Sequence, residues 1–412
     1  MSILIKGGIV VTQDANRRVL CTDVLIEKNK IVDVGKHKVS EADLVIDAKG
    51  MTVIPGLINL HTHVAMSTMR GVADDVPLDK FLDKTFAIDS KRTEANLLEG
   101  ARLGCAEAVL TGTTSFLDLY YGEDIIARAC EEIGVRGFLG WAVLDEDKTT
   151  QKGSPIKNAA KFIDRWKGHG LITPVVAPQG VYVCSEETML KARELAKKKR
   201  TFCHYHISET RSEVYQHLSK TDKRPVDWLH DIGFLAKGDV AAHAVWITKG
   251  EARRLAEARV SIAHCPTSNL KLAVGGVAPI IEIREYGGTV GLGTDGCSSN
   301  NSLDMFVEMK ICALLHKHAR WNASVMAAQE VLDLATIEGA KALGKGNKLG
   351  SIEQGKLADI AIIDSSKIGM VPTTVQNAVS NLIYSCTGKF VYCTLIDGQI
   401  VSYDGELTNV KI

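Results

Sequence analysis

His61 and His63 close the apolar run PGLINLHTHV at residues 55–64. Side chains alternate along an extended strand, so these two imidazoles share one face while Thr62 takes the other. Paired at a strand end they can grip a metal ion, or simply hydrogen-bond within a core. Comparable residues close other apolar runs: His206 and Glu209 in TFCHYHISE, His243 in VAAHAVWIT, His264 in VSIAHCPTSN and Asp295 in GTVGLGTDG. Each alone has an ordinary reading. His264 reads as a satisfied core histidine, and Asp295 as a turn residue or helix cap. Together they favour a metal site. His61, His63, His206 and Asp295 offer three imidazoles and one carboxylate, a set suited to one divalent ion with a position left for water. Zinc is the expected ion, with Fe2+ and Mn2+ as alternatives. A second ion would need a bridging anion, and the fourth run, ITPVVAPQG, supplies Gln179 where a lysine could have served.

Eight strand-like runs position these residues: VIPGLINLHTH, GTTSFLDLYY, RGFLGWAVLD, ITPVVAPQGVY, TFCHYHISE, VAAHAVWIT, VSIAHCPTSN and GTVGLGTDG. Each is followed by a stretch at helical spacing, such as TEANLLEGARLGCAEAVL. Eight alternating units predict a (β/α)8 TIM-like barrel, whose chemistry gathers where the strands end. A doubly wound sheet would usually carry a glycine-rich phosphate loop after its first strand, and here that strand ends in HTH. Both chain ends are strand-rich, with turns such as EKNK and DG. The expected division is a barrel over 57–354 and a small β-sandwich domain built from 1–56 with 355–412.

Bulk properties narrow the function. The 412 residues carry 49 basic and 49 acidic side chains, so no basic excess exists to neutralise phosphates, and nucleic acid is not an expected partner. No run reaches the ~20 apolar residues of a membrane span, and MSILIKGGIVV lacks a signal-peptide layout. Ten cysteines without CxxC spacing fit buried thiols in a reducing cytoplasm; Cys184, Cys203 and Cys265 read as packing residues. A soluble cytoplasmic protein acting on a small molecule is expected.

The motifs PGLINLHTH, RGVADDVPLDKFL, HYHISET, AAHAVWIT, AHCPTSNLKLAVGGVAP, GLGTDGCSSNNSLDMFVEMK and LGSIEQGKLADIAIID span the chain. In them the sequence resembles the amidohydrolase superfamily, in its branch of chlorohydrolases and nucleobase or nucleoside deaminases. Within that branch it is similar to the 5-methylthioadenosine/S-adenosylhomocysteine deaminase family. The resemblance implies hydrolytic deamination of an adenosine-type nucleoside, with His61, His63, His206 and Asp295 on the metal. Glu209 matches the family's proton shuttle, and His243 the histidine beside the attacking water. It also implies a weak tendency to form homo-oligomers. His264 has no matching role and is expected to be structural.

The match departs from the family around the substrate. Asp89 stands where relatives place a glutamate for ribose hydroxyls, and it reads equally as a helix cap before SKRTEANLL. Gln179 replaces a purine-facing histidine and can still donate to a ring nitrogen. Trp141 replaces an arginine that pairs with an amino-acid carboxylate, and an indole is expected to stack on a ring or a methylthio group instead. A neutral 5′ group follows: adenosine, 5′-deoxyadenosine or 5′-methylthioadenosine before S-adenosylhomocysteine. The alternative is hydrolysis of a free base or triazine-like ring (cytosine, guanine or a related heterocycle). The other zinc deaminase design, H-x-E with P-C-x-x-C, is absent from the sequence. A relative that holds metal without activity would be expected to lack a ligand or the acid, and all six residues are present. Residues 64–90, containing RGVADDVPLDKFLDK, are the candidate lid.

Overall fold

The computed structural model describes residues 1–76 and 78–410. Pro77, in the candidate lid, and Lys411 and Ile412, in the expected terminal domain, lie outside the described residues. All eight expected segments contain strands, in two four-stranded parallel sheets. The first sheet holds Leu57–Thr62, Thr113–Tyr120, Arg136–Val143 and Ile172–Pro178. The second holds His204–Ile207, Val240–His243, Ser261–His264 and Val290–Leu292. We number them first to eighth. Helices return the chain after each strand, among them Glu94–Leu110, Pro155–Trp166, Arg211–Thr221 and Met305–Arg320. The strands are short and apolar, and Leu57–Thr62 is buried at every position, as expected of parallel strands covered on both faces.

Hydrogen bonds join the two sheets along both edges. A parallel bridge pairs Val176 with Cys203, and the Val176 N–H donates to the Phe202 carbonyl at 3.2 Å. At the other edge the Asp295 N–H donates to the His61 carbonyl at 2.9 Å. Gly293 is what allows that approach: a Cβ there would lie 2.8 Å from His61 Cβ and 2.9 Å from His61 N. The same contact brings Asp295 beside the two histidines of the first strand.

Strands from the two chain ends form one nine-stranded sheet. Thr52–Pro55 is the junction, parallel to Ser2–Val11 and antiparallel to Ile360–Ile363. The run VIPGLINLHTH is therefore two strands in different sheets, not one. Val53, Ile360, Ile362, Cys393 and Leu395 pack with Ile3, Ile5, Val24 and Ile26 in a core of its own. A bidentate pair between Arg136, on the third strand, and Asp359, at 3.1 Å for both contacts, fastens this sheet to the parallel ones.

After the first strand, Val64–Met69 forms a 3-10 turn buried at Val64, Ala65, Met66 and Met69. It lies on helix Glu94–Leu110 so closely that a Cβ at Gly100 would fall 2.1 Å from the Ala65 carbonyl. The front of the candidate lid is thus a packed wall. Its later part, helix Leu78–Asp89, leaves Phe86 53% exposed at the cavity mouth. None of the described helices is long and apolar enough to cross a membrane. All ten cysteines are free, and Cys184, Cys203 and Cys265 are buried, as their packing role requires.

Candidate active site

A cavity of about 610 Å3 opens at the ends of the parallel strands, and His63, His206, Glu209, His243 and Asp295 line it. His61 lies beneath them, fully buried. Asp295 Oδ1 is 3.2 Å from His63 Nε2 and 3.6 Å from His61 Nε2. Ring centroids of His61 lie 4.8 Å from those of both His63 and His206. His61, His63 and His206 form one set of donor atoms within 4.8 Å of each other, and His61, His243 and Asp295 another.

The second nitrogen of each ring is anchored. His63 Nδ1 donates to the Leu119 carbonyl at 2.6 Å, and His206 Nδ1 to the Gln179 carbonyl at 2.7 Å. His243 Nδ1 meets Asn269 Oδ1 at 3.0 Å. His61 Nδ1 meets His204 Nε2 at 2.9 Å. Donation through Nδ1 leaves the Nε2 lone pair of a neutral ring facing the site, as metal-binding histidines require. His61 Nε2 is buried with no hydrogen-bond partner, the mark expected where an ion belongs.

The electrostatics agree. Burial drives His61 and His206 well below the ordinary histidine range, so both rings are neutral. Burial acts on His63 in the same direction, but the Asp295 hydrogen bond and charge outweigh it and raise this ring. Burial would raise Asp295, yet the His61 and His63 imidazoles that face it hold it far below the usual carboxylate range. Its Oδ2 also accepts from Ser268 Oγ at 2.6 Å and Ser299 Oγ at 2.9 Å. The carboxylate is ionised and fixed. Three lone pairs and one anion fit a single borderline divalent cation.

Three site residues hold strained backbone. Ser208, His243 and Asp295 hold φ of +47°, +72° and +61°, in the left-handed region that non-glycine residues rarely occupy. Such conformations persist where surrounding contacts over-determine them.

Glu209 is 19% exposed at its side chain, with Oε2 3.9 Å from His243 Nε2. Burial raises its pKa, against the opposing pull of His243. Gln179 lines the cavity, and its Nε2 lies 3.5 Å from the Tyr182 hydroxyl. Asp89 also lines it, as the last residue of helix Leu78–Asp89. It does not cap the next helix: Thr93 does, through a capping box with Asn96. Asp89 Oδ1 instead accepts from the Tyr120 hydroxyl and lies 3.5 Å from Arg92.

Trp141 is not in the cavity. Its neighbour Ala142 lines it, and alternation turns Trp141 to the opposite face of the third strand. There it packs against Phe162 at 6.0 Å between centroids and donates to Gln151 at 2.7 Å. The expected stacking on substrate is therefore wrong by one residue of register. His264 does not line the cavity, and its Nε2 lies 3.2 Å from His316 Nε2.

Besides Ser268 and Ser299, three contributors escape the sequence pattern. His204, two residues before His206, is fully buried behind His61. Glu213 accepts the N–H groups of Ser208 and Glu209, both at 2.8 Å, and so fixes the loop carrying Glu209. Asn269 orients His243. The first two left a signal: HYH repeats the alternation of HTH, and Thr210 with Glu213 has capping-box spacing.

Known proteins are similar to this chain over nearly its whole length. A 5-methylthioadenosine/S-adenosylhomocysteine deaminase of Thermococcus onnurineus is 42% identical over 411 residues, covering 99% of this chain and 95% of the relative. A 5′-deoxyadenosine deaminase of Methanothrix thermoacetophila is 40% identical over 386 residues, covering 93% and 91%. The crystal structure of an adenosine deaminase from Xanthomonas campestris with bound zinc superposes with a TM-score of 0.95 at 31% identity, covering 99% of this chain and 94% of that one. That likeness makes the fold α/β of the TIM-barrel type. The amidohydrolase family model matches residues 52–401. The chain belongs to the amidohydrolase family.

Proposed function

We propose that this protein hydrolyses the exocyclic amine of an adenosine-type nucleoside, releasing ammonia and the inosine analogue. One observation carries the reading: donor atoms of His61, His63 and His206 lie within 4.8 Å of one another, with Asp295 3.2 Å from His63 and 3.6 Å from His61, beside a cavity that also holds Glu209 and His243. The similarity to deaminases of methylthioadenosine, S-adenosylhomocysteine and 5′-deoxyadenosine supports the substrate class.

The architecture we infer is a closed (β/α)8 barrel over 57–354, with a composite β-sandwich from 1–56 and 355–412. The bonds along both sheet edges support closure. His61, His63, His206 and Asp295 would hold one divalent ion, zinc first, because zinc is bound in the similar Xanthomonas enzyme. When bound, such an ion lowers the pKa of a coordinated water from 15.7 to about 7.

The protein's own groups supply the proton transfers. Asp295, ionised and fixed by Ser268 and Ser299, accepts a proton from the attacking water. Glu209 is kept protonated more readily by burial and gives its proton to a ring nitrogen, which makes the amine-bearing carbon electrophilic. The oxygen adds to that carbon, the amine takes the proton held by Asp295, the C–N bond breaks as ammonia leaves, and the proton left on the added oxygen returns to Glu209 as the carbonyl forms. His243 Nε2 steadies the incoming oxygen. Asp89 accepts ribose hydroxyls and Gln179 faces the purine.

The 5′ group is neutral in this reading. Among the described residues no lysine or arginine lines the cavity, whereas Phe81, Phe86 and Tyr121 do. A homocysteine carboxylate would find no cation there, and a methyl or methylthio group would find apolar wall. An ammonia-release screen over adenosine, 5′-deoxyadenosine, 5′-methylthioadenosine, S-adenosylhomocysteine and free bases tests this. Activity confined to free bases would overturn it.

A further inference from the structure

His63 and His206 each fix their inner nitrogen on a carbonyl oxygen, and His243 on a side-chain oxygen. An oxygen can only accept, so a ring that meets a carbonyl has no choice: Nδ1 carries the proton and Nε2 keeps a lone pair. His61 is different. Its partner is another imidazole, His204 Nε2, at 2.9 Å. Between two imidazoles the proton can lie on either nitrogen. If His204 donated, a neutral His61 would carry its proton on Nε2, blocking the lone pair that faces the site.

The far side of His204 decides between these arrangements. Its Nδ1 lies 2.9 Å from the Val240 carbonyl, an acceptor, so Nδ1 must hold a proton. The ring is fully buried and neither of its nitrogens meets a carboxylate, so a second proton would leave an uncompensated buried charge, and the ring holds only the one. His204 Nε2 is then an obligatory acceptor, His61 Nδ1 an obligatory donor, and His61 Nε2 a bare lone pair. The direction of one backbone carbonyl on the sixth strand passes through two rings to the site. Both rings are fully buried, so no solvent competes for either bond. The ring centroids lie 5.0 Å apart at 66°, which excludes stacking as the purpose of the contact.

We propose that His204 is a positioning residue that fixes the tautomer of His61 and thereby keeps its Nε2 available to a metal ion. This rests on the metal-site reading above. His204 is not itself a ligand, because both its nitrogens are engaged.

Zinc affinity of the metal-free protein, measured by competition with a chromogenic chelator, is the test. His204→Leu removes the acceptor, and its zinc Kd is expected to rise about 10–100-fold, the range seen when such outer partners are lost. His204→Gln places an amide oxygen where Nε2 was, and is expected to stay within about threefold of wild type. A role confined to packing would lower the melting temperature of both metal-free variants and leave the zinc Kd unchanged. Equal Kd values for His204→Leu and wild type would overturn the proposal, as would equal weakening by both variants. NMR of nitrogen-labelled histidines in metal-free wild type reads the tautomer without any substitution. Protons on Nδ1 of both His61 and His204 are expected, and a proton on His61 Nε2 would overturn the proposal. A wild-type chain that binds no zinc would overturn the site reading itself, which the tautomer measurement separates from failure of the relay.

Discussion

Gly293→Ala is the smallest change that tests how the sheet edge builds the site. The added Cβ would meet His61 Cβ at 2.8 Å, its N at 2.9 Å and its O at 3.1 Å. None of these atoms can rotate away, so the first and eighth strands must separate by several tenths of an ångström. Overpacking of this kind costs about 1–3 kcal/mol. The bond from the Asp295 N–H to the His61 carbonyl, now 2.9 Å, would lengthen with it, adding about 0.5–1.5 kcal/mol. The expected loss is about 1.5–4.5 kcal/mol, or roughly 2–5 °C in melting temperature if the 412-residue chain unfolds as one unit. His61 and Asp295 both sit at this edge, so zinc affinity should fall at least about tenfold as their donor atoms are displaced. Thermal denaturation of the metal-free protein and chelator competition measure the two effects separately. Gly250→Ala is the control: its Cβ would meet nothing nearer than Thr248 Oγ1 at 3.8 Å, on a helix that favours alanine. If Gly293→Ala melts within about 1 °C of wild type and binds zinc equally well, the edge does not position the ligands as described.

Other residues give further expectations. Glu209→Gln should retain zinc while lowering kcat about 10²–10⁴-fold, the usual range for loss of a general acid; unchanged kcat would remove Glu209 from the proton path. Asp89→Asn should lower kcat/KM for nucleosides about 10–100-fold through loss of a charge-assisted hydrogen bond, and equal turnover would remove Asp89 from substrate recognition. Trp141→Phe should leave the ranking of 5′ substituents unchanged, since the indole faces Phe162, and cost about 0.5–1.5 kcal/mol of stability through the lost bond to Gln151. Burial, followed by the charge of Glu209, raises the Glu213 carboxyl to about 7. A carboxyl raised on folding binds its proton more tightly in the native state, so its stabilisation is full below about 4 and is lost as pH rises through about 7. Metal-free wild type should therefore melt higher near about pH 5.5 than near about pH 8, with Glu213→Gln narrowing the difference; an unchanged difference would contradict that assignment.

The parts of the site set by local geometry were readable from residue order. HTH, the His206 and Glu209 pair, and Asp295 in TDG end apolar runs, and a strand's two-residue period fixes which of them share a face. Trp141 shows the limit of that rule: a shift of one position moves a side chain from cavity to outer core, and between Arg136 and Asp145 the run RGFLGWAVLD has no charged residue to set the register. Of the two readings of Asp89, the cap is the one the structure removes, because Thr93 and Asn96, three apart, carry the capping signal themselves. Asn269 reaches the end of the sixth strand and Ser268 the end of the eighth, contacts made only when those strands meet, and nothing local announces them. The split of VIPGLINLHTH between two sheets has the same origin, because the partner of Thr52–Pro55 lies some 300 residues away, at Ile360–Ile363.

The most direct measurement couples metal content to turnover. Purified protein is assayed for bound metal and for ammonia release from 5′-deoxyadenosine, before and after chelation, and again after zinc is restored. One divalent ion per chain is expected, with ammonia release that disappears on chelation, returns with zinc, and stays absent when Asp295→Ala or His63→Ala removes a donor. Undiminished ammonia release from the metal-free protein, or no release from any adenosine derivative by the zinc-loaded one, would contradict the central claim.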